Sequence, residues 1–167
     1  MIRIRVTAAT LVLLTTMTGC ATNAEGNTPL KNELTWQEAK AHSQAMELEI
    51  AKLIPKSKVV KIEQGETGTL LSCSETQHNW NGTSVVTLAK DAEEEPIVKA
   101  IEAHYQNSHF TVETDINVSG NYRVQLFYPD SAESYLVSAG WDTDTIRISS
   151  GSPCFALPEG VYPGGDF

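Results

Sequence analysis

Four stretches of this chain alternate apolar and polar residues with a period of two, and they follow one another with only short breaks. Phe110, Val112, Thr114 and Ile116 alternate with Thr111, Glu113 and Asp115. Tyr122, Val124, Leu126 and Tyr128 alternate with Arg123, Gln125 and Phe127. Tyr135 and Val137 alternate with Leu136 and Ser138, and Ile146 and Ile148 with Arg147 and Ser149. Ser119-Gly120-Asn121, Pro129-Asp130-Ser131 and Asp142-Thr143-Asp144 separate them, as turn-forming residues do. Short turns between alternating strands predict an antiparallel meander with one covered and one wetter face.

Upstream the period is helical. Thr35-Trp36-Gln37-Glu38 reads as a capping box with Leu34 before it. Ala39, Met46, Ile50 and Leu53 recur on one face, with Glu47, Glu49 and Lys52 placed elsewhere, and Pro55 ends the segment. This predicts a helix over about 36–53. Acids at Glu93, Glu94 and Glu95 followed by Pro96 open a second helix, whose face carries Ile97, Ile101, His104 and Tyr105 and which stops at Asn107-Ser108. Between the helices lie short strands at Val59, Val60 and Ile62, at Leu70, Leu71 and Cys73, and at Val85, Val86 and Leu88. The polar run from Gln77 to Gly82, with Trp80 inside it, reads as a loop. Two amphipathic helices need an apolar surface to cover, and the sheet offers one. The expected fold is therefore α+β: a two-layer sandwich, an antiparallel sheet with two helices packed on one face.

The N-terminus has a different pattern. Arg3 and Arg5 precede an apolar run from Val6 to Leu14, too short to span a bilayer as a helix, which is the form of a secretory signal peptide. Met17-Thr18-Gly19-Cys20 resembles the lipobox of bacterial lipoproteins. That resemblance implies a diacylglyceryl group on the Cys20 sulfur and cleavage before it. Residues 1–19 are then a leader, 20–33 a small-residue polar tether of roughly 20 Å reach, and 34–167 one α+β domain. The protein would be a lipoprotein held on the extracytoplasmic face of the cell membrane by a palmitate-class acyl anchor.

Cleavage changes the charge. The chain has 12 basic and 21 acidic residues, a net of −9. Loss of Arg3 and Arg5 leaves ten basic residues and a net of −11. An acidic domain with 41% hydrophobic residues is a folded one, and its charge argues against nucleic acid as a partner. With Cys20 acylated, Cys73 and Cys154 remain. In an oxidising compartment they read as a structural disulfide, stabilising by roughly 4 kcal/mol in the chain-entropy picture; the rival reading is a catalytic Cys and an odd one.

The chain also resembles small actinobacterial envelope lipoproteins, loosely the mycobacterial LppA-type. The shared features are the lipobox, Ile54-Pro55 closing the first helix, Leu70, Leu71 and Cys73 in a strand, and Pro153-Cys154-Phe155 after the last one. The resemblance covers most of the mature domain. It implies an envelope location and the Cys73–Cys154 disulfide, and it implies no activity.

No hydrolase elbow, zinc-protease, P-loop or EF-hand spacing occurs. His104 and His109, five apart across a helix end, are poorly spaced for a metal. Asp142 and Asp144 suit a turn, Glu93–Glu95 suit a helix dipole, and Ser149-Ser150-Gly151-Ser152 has no base at a recognisable spacing. We therefore expect no catalytic site, metal or cofactor. Trp80, Trp141 and Tyr162, with Tyr128, are the aromatic candidates for contacts with an envelope protein, glycan or lipid. A non-catalytic binding module is the first expectation. A carrier of an apolar ligand between sheet and helices is the alternative, and an enzyme of unrecognised type the third.

Overall fold

Thr35 starts the first helix as its sequence requires. Its hydroxyl accepts from the Glu38 amide at 3.2 Å while the Glu38 carboxylate accepts from the Thr35 amide at 2.9 Å. These bonds satisfy donors that a helix N-terminus leaves open. They also hold the Glu38 carboxyl below its usual range. A computed structural model describes residues 34–167; the expected leader, Cys20 and the expected tether lie outside the described residues.

Helix α1 runs Trp36–Ala51, then a 3-10 turn at Lys56–Lys58, strands β1 (Val59–Gln64), β2 (Thr69–Ser72) and β3 (Gln77–Leu88), and helix α2 (Glu94–Tyr105). Strands β4 (Thr111–Ile116), β5 (Tyr122–Phe127), β6 (Ser134–Ala139), β7 (Thr145–Gly151) and β8 (Phe155–Ala156) follow. The eight strands form one antiparallel sheet, six of them in the order β1-β3-β7-β6-β5-β4, with β2 and β8 each pairing with β3. The fold is α+β with both helices packed against the sheet, as the alternation predicts.

Strand β3 is the spine. Its C-terminal half pairs with β1 through Ile62↔Val86, and its N-terminal half with β2 through Leu70↔Trp80. On its other side it pairs with β7 through Val85↔Arg147 and with β8 through His78↔Phe155. The predicted loop at Gln77–Gly82 is thus strand. The Trp80 indole lies over Gly82 and Gly68, where an added Cβ would come within 2.0 and 2.4 Å of the ring. The glycine that reads as a loop signal is the space an aromatic neighbour fills.

One core joins both helices to the sheet. Ile50 and Ile54 from the α1 end, Val98 and Ile101 from α2, and Val86, Leu126, Val137 and Ile148 from the strands are all at most 3% exposed. Each such side chain stabilises by about 1.5–3 kcal/mol on burial. A smaller cluster gathers Trp80, Phe155, Phe167 and Ala39, with Trp36 edge-on to Phe167. Cys73, just past β2, and Cys154, just before β8, form a disulfide with 6.3 Å between α-carbons. It ties together the two short strands that flank the start of β3.

Candidate functional site

Among the described residues the helices cover one face of the sheet and leave the other open. Period-two alternation puts Arg123, Gln125, Leu136, Ser138, Arg147 and Ser149 on that open face, while their neighbours Val124, Leu126, Val137, Ile146 and Ile148 enter the core. The strand registers align these residues into rows. Asp115 pairs with Arg123, Arg123 with Ser138, Ser138 with Arg147, and Arg147 with Val85. Beside it, Gln125 pairs with Leu136, Leu136 with Ser149, and Ser149 with Thr83. Arg123 and Arg147 are the two arginines of the chain besides Arg3 and Arg5. They flank Ser138 at roughly 10 Å between α-carbons, two strand spacings.

The arginines differ electrostatically. Arg123 grips Asp115 with Nε and Nη2, the latter at 2.7 Å. The guanidinium holds the Asp115 carboxyl below the usual carboxylate range, and the carboxylate raises Arg123 in turn. Arg147 has no carboxylate within ion-pairing distance among the described residues. Its Nε donates to Ser149 Oγ at 3.1 Å and its Nη2 to Thr83 Oγ1 at 3.3 Å. Its guanidinium carbon sits 3.8 Å from the centre of the Trp141 ring. Such stacking suits the planar, weakly hydrated guanidinium and fixes its direction.

A depression of about 580 Å³ opens over this row, bounded by Arg123, Leu136, Ser138, Trp141 and Arg147, with Asn117 and Asn121 from the β4–β5 turn. A second, of about 370 Å³, continues from Arg147 and Ser149 toward Thr83, Asn81 and Thr69. Among the described residues no Asp or Glu lines either one. In a chain of net charge −9 this is a local inversion of sign.

Of the aromatic candidates, Trp141 is 89% exposed and belongs to the groove. Tyr162 is exposed in the C-terminal segment, its ring against Gly164, and lines neither depression. Trp80 is not a surface contact. It is fully buried, and its indole Nε1 donates to the Phe167 carbonyl at 3.2 Å. Tyr128 packs on His109 and Phe110, and His104 meets Tyr105 edge-on. Among the described residues no group of three or more His, Cys, Asp or Glu is placed to hold a metal ion.

A second polar cluster lies inside the helix–sheet interface, where Glu47 of α1 is fully buried rather than turned to solvent. Ser150 Oγ donates to its Oε1 at 2.5 Å; Ser84 Oγ and Gln64 Nε2 donate to its Oε2 at 2.6 and 3.0 Å. One turn earlier, His42 Nε2 and the Tyr135 hydroxyl both donate to Glu133 Oε1 at 2.9 Å. Burial and the adjacent Glu133 push the Tyr135 hydroxyl well above its ordinary range. Glu47 is sealed from solvent and its oxygens are occupied, so this cluster pins α1 to β1, β3 and β7 rather than facing a ligand.

No family model, curated protein or solved structure matches the chain.

Proposed function

We propose that the protein is a non-catalytic lipoprotein, anchored through Cys20 on the extracytoplasmic face of a bacterial membrane, that binds an envelope partner on the open face of its sheet. The observation that carries the binding face is the groove itself: a helix-free sheet face with an acid-free lining, an exposed Trp141 and a directed Arg147. The Gly19-Cys20 junction after a short apolar run supports the anchor, and a disulfide fits an oxidising compartment. The carrier alternative needs room between helices and sheet. That space holds Ile50, Val98, Ile101, Leu126 and Ile148, which favours the open face instead.

Two measurements test this. With Cys20→Ser, the protein is expected to leave the membrane fraction and lose its lipid mass; retention of both refutes the anchor. For the face, Ser138→Cys at the groove floor and Lys99→Cys on the helix side are labelled with maleimide in intact envelopes and after purification. Protection in the envelope confined to position 138 is expected. Equal labelling in both settings refutes the open face as the binding surface.

A further inference from the structure

We propose that the open-face groove takes an oligosaccharide carrying carboxylate groups, an inference that rests on the binding-face reading above and names its ligand class. The charge comes from Arg147. A guanidinium has five N–H donors. Two of Arg147's are engaged, by Ser149 and Thr83, and no carboxylate among the described residues neutralises it. Arg123 beside it is already compensated by Asp115. The groove thus offers one uncompensated positive charge, which matches a singly charged carboxylate better than a dianionic phosphate.

The sugar comes from the rest of the lining. Trp141 presents a flat indole, 89% exposed, at the groove rim, with Arg147 stacked on it. An exposed indole face suits the apolar C–H face of a pyranose. Along the same wall Ser138 Oγ keeps acceptor capacity while donating to the Ala139 carbonyl, Asn117 keeps its amide donors while its Oδ1 accepts from the Ser119 and Asn121 backbone amides, and the Asn121 side chain lines the wall as well. A peptide is the weaker fit. The groove lies over β5, β6 and β7, interior strands whose backbone groups are paired on both sides. A peptide main chain finds no ladder there to extend, whereas sugar hydroxyls need only side chains. The chain's net −9 is screened beyond about 8 Å at physiological salt, so the local sign decides.

The test titrates the full-length protein at physiological salt by calorimetry with three probes: tetragalacturonate, the same tetrasaccharide with its carboxyls reduced to alcohols, and tetraglutamate. Saturable binding of tetragalacturonate is expected, weakened about tenfold or more on carboxyl reduction. Arg147→Gln and Trp141→Ala are expected to weaken it by a similar factor. Trp141→Tyr, which keeps a ring, stays within about threefold of the parent, and Lys99→Gln on the helix side leaves binding unchanged. Absence of tetragalacturonate binding overturns the inference. So does equal binding of the reduced sugar, equal binding of tetraglutamate, or insensitivity to both groove substitutions. Protection of Ser138→Cys in envelopes without tetragalacturonate binding refutes the glycan and leaves the binding face standing; loss of protection as well refutes both.

Discussion

Replacing Glu47 by Met asks what a buried carboxylate without a cation contributes. Met keeps nearly the same volume and removes both acceptor oxygens. Three donors then lose their partner: Ser84 Oγ, Ser150 Oγ and Gln64 Nε2, at 2.6, 2.5 and 3.0 Å in the native protein. Gln64 also donates to the Gln44 carbonyl at 2.7 Å and keeps that bond. Ser84 and Ser150 are 0% and 4% exposed, so their hydroxyls cannot turn to water. A stranded buried donor costs about 1–3 kcal/mol. Two of them cost roughly 2–6 kcal/mol, against which Met recovers the desolvation of a charge. The opposing precedent is that buried charges replaced by well-packed apolar groups are often neutral or stabilising, but that holds when the partners are replaced too. We therefore expect Glu47→Met to destabilise by about 3 kcal/mol in urea unfolding at unchanged m value, with the disulfide intact. The triple variant Glu47→Met, Ser84→Ala, Ser150→Ala should recover at least half of that loss, because no donor is left behind. A Glu47→Met protein as stable as the parent, or a triple variant less stable than the single, would refute the argument that hydrogen-bond satisfaction rather than charge sets the energy of this site.

The same assay checks three further expectations. Cys73→Ser with Cys154→Ser opens a loop of 81 residues' separation and should cost about 4.5 kcal/mol in the chain-entropy picture; a loss under about 1 kcal/mol would mean that the unfolded chain is already constrained. Gly82→Ala drives a methyl into the Trp80 ring, 2.0 Å from the added carbon, and should destabilise by roughly 3 kcal/mol as overpacking does; a change below about 0.5 kcal/mol contradicts the Trp80 packing. The Tyr105 hydroxyl is buried with no hydrogen-bond partner among the described residues, and burial, with Glu49 adding to it, pushes it up to about 12. Its contribution is complete below pH 10 and is lost between about pH 10 and 12, since the unfolded chain ionises first. Tyr105→Phe should hold or gain stability at neutral pH and flatten the alkaline loss, and an unchanged alkaline slope would count against the shift.

Where the alternation was strict, the fold was legible. From Tyr122 to Ser149 the central apolar residues Val124, Leu126, Tyr135, Val137, Ile146 and Ile148 all enter the core, because one buried face leaves no freedom to slip register, whereas Ile116 on the edge strand β4 and Tyr128 past the end of β5 stay exposed. The capping box at Thr35 and Glu38 placed the start of α1 to the residue. The reading failed where side chains were placed by type rather than by position. By residue type Glu47 stands apart from the apolar face of α1, yet it lies four residues after the buried Ser43 and three before the buried Ile50, on one stripe with both. A carboxylate is expected at the surface because its burial is costly without partners, and the partners, Ser84 and Ser150, come from strands 37 and 103 residues away. Likewise Gln77–Gly82 lacks apolar alternation because its inward side is one large indole over a glycine.

The groove was half visible. Trp141, an aromatic beside a turn with no evident place in the core, is exposed. Arg123 and Arg147 both occupied the polar phase of alternating strands, which fixes their face, but not their neighbours. Facing sides of a sheet become a site only through register, and register is set by turn lengths that propagate across strands. Here the β5–β6 and β6–β7 pairings bring Arg123 and Arg147 to either side of the single residue Ser138. A one-residue slip in either hairpin would send one arginine into the core, where its charge is unaffordable. The two arginines therefore fix the same register from the outside that Val124, Val137 and Ile148 fix from the inside. The groove proposed to bind an anion is held in place by the packing of the opposite face, so substitutions on the open side should alter that binding with little cost to the fold.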